Sequence, residues 1–267
     1  MAFIIADADR ALDILRWGYC HFGRLHFLPN KAGWVGEFAY AYVETSFGPN
    51  DHDLIGVKPH VLRVENNWLG LEADIVSYED VAALVDVIDG KFDSDLADDL
   101  SAALRTIGQA YYFPDLEAAF LSMIYAIDAV AGVGRLRGTH QRLWVAAVAS
   151  EGRVKRFTHL LSDFDNIYSV RNKLVHSGAT FGTLELDQAS LNSKAEMILK
   201  SCIEDIYRGG YKTRSDFVAG MISRITSPEY EAEVGQWLSG VSNPGISVPI
   251  ADDKTFKKVI SQQTTDF

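Results

Sequence analysis

Ala8, Ala11, Leu12, Leu15, Tyr19 and Phe22 recur at three- and four-residue intervals, a spacing that predicts a helix over residues 7–22. After Pro29 the rhythm changes. Trp34, Val35, Phe38, Tyr40, Tyr42 and Val43 form an aromatic, β-branched run broken by Gly33 and Gly36, which predicts sheet, with a turn-rich loop over 48–56 behind it. Leu69, Leu71, Ala73 and Ile75 alternate with Gly70, Glu72 and Asp74, so residues 61–64 and 68–76 read as a hairpin joined at Glu65-Asn66-Asn67. From Ser77 the period becomes helical again. Ser77 and Asp80 resemble a capping box, and Val81, Leu84, Val85 and Ile88 make an apolar stripe that stops at Gly90.

The second half is helical throughout. A helix is expected over 95–110, ending near Phe113-Pro114, and another over 116–131 whose faces are nearly all apolar, with Asp128 the exception. That composition marks a helix buried in a bundle. Further helices are predicted over 139–150, 153–161 and 162–176. A polar loop over 177–185 leads to Asp187 as N-cap of a helix running to Tyr207, before Gly209-Gly210. Shorter helices over 215–225 and 228–238 precede an irregular tail. The fold class is therefore mainly α: residues 1–110 form a smaller mixed region with a few antiparallel strands, 111–240 a helical domain, and 241–267 a tail.

With 48% hydrophobic and 23% charged residues, the chain reads as soluble and globular. No apolar run is long enough to cross a bilayer, the first residues lack a secretion signal, and the cytoplasm is the expected compartment. Cys20 and Cys202 stand far apart without a metal-ligand pattern and read as buried reduced thiols. The net charge of −11 argues against nonspecific nucleic-acid binding, but its distribution weakens that argument. Between residues 72 and 99 ten acids face one base, whereas between 133 and 182 eight bases face three acids. A solvated mixed face is the plain alternative for the basic block.

Inside that block lies Tyr168-Ser169-Val170-Arg171-Asn172-Lys173-Leu174-Val175-His176-Ser177-Gly178. On a helix of about 100° per residue, Asn172 and His176 are one turn apart on one face and Arg171 is at its edge. Tyr168, Leu174 and Val175 fall on the remaining faces, where they can be buried. Gly178 is placed to be the left-handed residue after the helix end, where unpaired carbonyls favour a cationic imidazole. Arg-x4-His also occurs from Arg16 to His21 and from Arg135 to His140, each with a glycine inside the run, and both read as chance matches. The glycines from 132 to 138 depart from a dinucleotide loop and follow a helix, so they read as an interhelical turn. His159 and Asp163 lack further ligands at metal spacing and read as a solvated pair.

Arg171-Asn172-Lys173-Leu174-Val175-His176 resembles the R-polar-x3-H motif of HEPN domains, and the longer segment from Tyr168 is most similar to their Apea-like branch. Phe120-Leu-Ser-Met-Ile-Tyr-Ala-Ile-Asp-Ala-Val130 is similar to the first core helix of that branch, with Asp128 at its acidic position. The resemblance covers about residues 113–225. It implies a helical bundle that dimerises across the motif helix and, in many members, a metal-independent endoribonuclease. Other members are silent RNA-binding or protein-docking modules, and several belong to phage-defence or toxin systems. Ser177 and Gly178 follow the histidine, so the tyrosine that a partner nucleotidyltransferase modifies in one toxin branch is absent, and no such partner is expected.

Attack of an RNA 2′-hydroxyl on its own phosphate needs a base, an acid and positive charge on the transition state. One motif has one histidine and one arginine; two motif helices at a two-fold axis have two of each. On this reading His176 transfers protons, Arg171 steadies phosphate charge, Asn172 orients His176, and Asp128 holds Arg171, with Tyr168 and Lys173 in support. No cofactor or metal is expected. RNA is the expected partner, tRNA being one candidate. Two competing readings remain: a surface helix whose histidine merely caps it, and a silent module that binds RNA or a protein while the N-terminal region senses a ligand.

Overall fold

Between Val154 and Ser177 the chain has no glycine or proline, and its buried residues, Phe157, Leu160, Leu161, Phe164, Ile167, Tyr168, Val170 and Leu174, keep helical spacing throughout. It folds as one 24-residue helix. This corrects the sequence expectation of two helices meeting at Ser162, because the polar Ser162-Asp163 step interrupts neither the backbone hydrogen bonds nor the apolar stripe. The structure of the protein, a computed structural model, describes residues 2–23, 28, 41–48, 51–57, 85, 94–133, 136 and 138–240.

Among the described residues the elements run α1 (Ala2–Tyr19), β1 (Ala41–Gly48), β2 (Asp51–Val57), α2 (Ser94–Ala110), α3 (Leu116–Val130), α4 (Gly138–Ala149), α5 (Val154–Ser177), α6 (Gln188–Arg208), α7 (Arg214–Ile225) and α8 (Pro228–Gly240). The protein is mostly helical. β1 and β2 pair antiparallel from Ala41 opposite Val57 to Gly48 opposite Asp51, with an irregularity between Ser46 and Gly48. β2 occupies most of the stretch read as a turn-rich loop. Its polar start, Asp51-His52-Asp53, hides the strand from a pattern search, whereas pairing with β1 satisfies its backbone. The hairpin predicted over 61–76 lies outside the described residues, as do the tail after 240 and the helix after Ser77 apart from Val85, which is helical.

Helix ends follow local chemistry. Asp115 accepts from the Glu117 N–H at 2.9 Å to start α3, and Asp187 accepts from the Ala189 and Ser190 N–H groups to start α6. Thr213 and Asp216 form a reciprocal capping box at the head of α7. Gly178, at φ 62°, closes α5 as the left-handed cap that the sequence predicts, its N–H reaching the Lys173 carbonyl.

α3 packs against α2 and α6, α4 against α5, α6 and α7, and α5 against α8. Every side chain from Leu143 to Ala149 is fully buried, so α4 runs through the interior. The end of α3 is satisfied by distant groups. Trp144 Nε1 donates to the Ala131 carbonyl at 2.7 Å, and the buried Arg214 guanidinium donates to the Ala129 and Val130 carbonyls at 3.1 Å while pairing with Asp99 of α2. Gly132 turns the chain here at φ 65°, and a Cβ on it would lie 2.9 Å from Arg214 Nη1.

The core does not stop at residue 110. Trp17 of α1 and Leu96, Leu100, Leu104 and Ile107 of α2 join the same cluster as Phe120, Trp144 and Phe164, so the sequence-drawn boundary falls inside packed structure. Two polar fastenings hold α1. Arg16, only 1% exposed, pairs with Asp9 and Asp13 and donates to the Tyr112 hydroxyl. Gly108 lets α2 approach, since a Cβ there would lie 2.1 Å from Asp13 Oδ1. Beyond the helix, Glu196 of α6 accepts from the Phe22 N–H at 2.8 Å and the Tyr111 hydroxyl at 2.6 Å, and pairs with Lys200 at 2.7 Å. Arg16 is thus committed to the core, as its chance-match reading implies.

Candidate functional site

Three helices meet around a cleft of about 550 Å³ lined by Asp128 and Ala129 of α3, Gln141 and Arg142 of α4, and Tyr168, Arg171 and Asn172 of α5. The helical rotation of α5 explains which motif side chains arrive. Its apolar stripe faces α4, which turns Tyr168 inward and sets Arg171, half-buried, at the cleft margin.

The floor is a three-way hydrogen-bonded set. The Tyr168 hydroxyl donates to Asp128 Oδ1, and Gln141 Nε2 donates to the same oxygen at 2.9 Å and to the Tyr168 hydroxyl oxygen at 3.2 Å. Burial, reinforced by the Asp128 charge, drives the Tyr168 phenol far above its ordinary range. Tyr168 therefore remains a neutral donor and holds Asp128 in a fixed orientation.

Arg171 makes different contacts from those expected. Its Nη1 donates to Asn172 Oδ1 at 3.0 Å, its guanidinium lies over the Tyr125 ring with Cζ 5.7 Å from the centroid, and its buried Nε has no hydrogen-bond partner. Asp128, expected to hold Arg171, is engaged instead by Tyr168 and Gln141. Asn172, expected to orient His176, presents its oxygen to the adjacent guanidinium. One helical turn does place Asn172 and His176 on the same face, but the long Arg171 side chain reaches back to the Asn172 oxygen. Arg142 carries a second guanidinium to the cleft and is paired with Asp165 of α5.

Asp128, Tyr168, Arg171 and Asn172 are thus brought together, while Lys173 and His176 are exposed and do not line the cleft. Val175, which the wheel allowed to be buried, is 40% exposed. Sequence reasoning missed Tyr125, Gln141 and Arg142. Tyr125 stands three residues before Asp128, a helical neighbour that could have been paired with it; nothing in the spacing signals the other two. The second chance match is undecided, because Arg135 lies outside the described residues. Asp163, read as a solvated partner of His159, pairs with Lys194 at 2.8 Å.

The arrangement suits an anion. The Arg171 guanidinium lines a polar cleft whose one lining carboxylate, Asp128, is already hydrogen-bonded. Among the described residues no helix is long and apolar enough to cross a membrane. No family model, curated protein or solved structure matches the chain.

Proposed function

We propose that this chain is a metal-independent endoribonuclease of HEPN type, cleaving RNA by attack of a 2′-hydroxyl on the adjacent phosphate. The observation that carries the reading is the placement of Arg171 and Asn172, hydrogen-bonded to each other, at the mouth of a polar cleft with His176 exposed one turn beyond. Arg171 meets the phosphate and takes up charge as the phosphorane-like transition state forms. His176 moves protons, but one protomer's imidazole cannot be both the base at the 2′-oxygen and the acid at the 5′-oxygen in the same step.

The outer face of α5 suggests where the second imidazole comes from. Ser169, Asn172, Val175 and His176 are all exposed there. Packing this face on its copy about a two-fold axis pools two histidines and two arginines in one crevice. Asp128, Gln141 and Tyr168 support the site by shaping the wall beside Arg171. The reading treats residues 111–240 as a HEPN-like helical domain, and assigns a sensing or specificity role to the mixed α/β region of residues 1–110. A phage-defence or toxin setting agrees with the resemblance.

A second reading is favoured by one fact: His176 does not line the cleft of its own protomer. On that reading the protein is a silent module that holds RNA or a protein partner. Incubation of the purified protein with total tRNA and a structured RNA, with and without EDTA, separates the two. Cleavage that survives chelator, leaves 2′,3′-cyclic phosphate ends and disappears in the Arg171→Ala/His176→Ala variant is expected. RNA retained at full length by the parent protein overturns the nuclease reading.

A further inference from the structure

A second groove, of about 380 Å³, runs between α2 and α3 and adjoins the Arg171 cleft, with Ala129 lining both. Its floor is made of small side chains, Ala102, Ala103 and Ala126, and two solvent-facing rings stand in its walls, Phe113 at 37% exposure and Tyr125 at 50%. Tyr125 joins the two spaces: it lines this groove and also lies under the Arg171 guanidinium. The polar groups of the lining sort into two kinds. Asp99 is paired with Arg214. Thr106 and Ser122 each donate to a carbonyl of their own helix at 2.8 Å, which leaves hydroxyl lone pairs to accept from an incoming donor, and Gln109 adds an exposed carboxamide.

A groove lined by two exposed rings and several hydrogen-bonding groups, with a guanidinium beside it, matches one nucleotide: base in the groove, phosphate on the arginine. We propose that the α2–α3 groove is a base subsite, in which one unpaired nucleobase of single-stranded RNA stacks on Tyr125 while the neighbouring phosphate sits on Arg171. The inference rests on the RNA reading of the motif cleft and adds its substrate form. Bases within a duplex are already stacked and cannot enter, so the strand must be single-stranded or locally open. The guanidinium over the ring holds Tyr125 and the phosphate-binding arginine beside each other as a cation–π pair. A peptide side chain would use the apolar floor but leave the adjacent guanidinium without an anion.

The test uses short 2′-O-methyl RNA strands, which cannot be cut, with an abasic residue moved along the sequence one position at a time. In the full chain, one abasic position is expected to weaken binding about tenfold, the cost of losing a single stacked base. Tyr125→Ala should bind the intact strand as weakly as the parent binds the abasic one, and Tyr125→Phe should bind like the parent. An even abasic scan overturns the proposal. So does a change in sedimenting mass in Tyr125→Ala, which makes the groove a contact with a second copy. Failure of all the strands to bind overturns it together with the RNA reading. A positional abasic effect in a protein that never cuts RNA supports the subsite and removes only the nuclease. Cutting that depends on His176 with an even scan removes only the subsite.

Discussion

His176 contributes little to the fold: its side chain is exposed in the last turn of α5, beyond the cleft. His176→Ala should therefore shift unfolding free energy by less than about 0.5 kcal/mol while lowering RNA cleavage by about a hundredfold or more. Denaturant melts beside single-turnover cleavage check both halves, and equal cleavage rates in parent and variant would remove histidine from the mechanism. Gly132 is the reverse case, a residue whose role is structural. At φ 65° an alanine there meets left-handed strain, and its Cβ also presses on the guanidinium that caps α3. Gly138, at φ 59° with nothing within 4 Å of where an added Cβ would sit, isolates the strain alone. Gly138→Ala should cost about 1 kcal/mol and Gly132→Ala measurably more, in the same urea titration.

At the scale of elements, some helix ends were legible and strand pairing was not. Asp187 and Gly178 announce where α6 starts and α5 stops, because a cap acts within one turn of its own backbone, whereas Asp115 takes the N-cap of α3 and leaves Pro114 outside the helix that it was expected to open. Asp187→Ala should lower stability by about 1 kcal/mol, read by chemical denaturation. The continuity of α5 through Ser162 was likewise present in its own Gly- and Pro-free spacing. The strand from Asp51 is different in kind: it depends on pairing with β1, which no window of its own residues contains. The attachment of α1 belongs here too. Glu196 gathers the Phe22 N–H, the Tyr111 hydroxyl and Lys200 from three parts of the chain while only 2% exposed. Glu196→Ala strands these donors and should cost roughly 3 kcal/mol. Hydrogen exchange should then accelerate in α1 before it does in α4.

For the whole molecule, two buried carboxyls set a pH dependence. Asp13 and Asp205 are each pushed up from 3.8 to about 6, in both cases by burial, with Arg16 and Arg224 respectively pulling the other way. A carboxyl with a raised value in the folded protein binds its proton more tightly there. Its contribution is complete below about pH 4 and is lost as pH rises through about 6. Unfolding free energy should accordingly fall across that window by up to roughly 3 kcal/mol for each group. Asp205→Asn should flatten the slope relative to the parent, and an unchanged slope would show that the carboxyl does not titrate there. The sequence by itself determined the helical periods, the caps at Gly178 and Asp187, and the presence of Arg171, Asn172 and His176 on one helix, since all of these are settled by neighbours within about four residues. Only the tertiary structure decided that Asp128 answers to Tyr168 and Gln141, that Tyr125 lies beneath Arg171, that Arg142 enters the cleft, and that His176 stays outside it. Those outcomes follow from how α3, α4 and α5 are rotated against one another. That rotation is fixed by apolar packing between residues far apart in the chain, so it cannot be read from the spacing of any one segment.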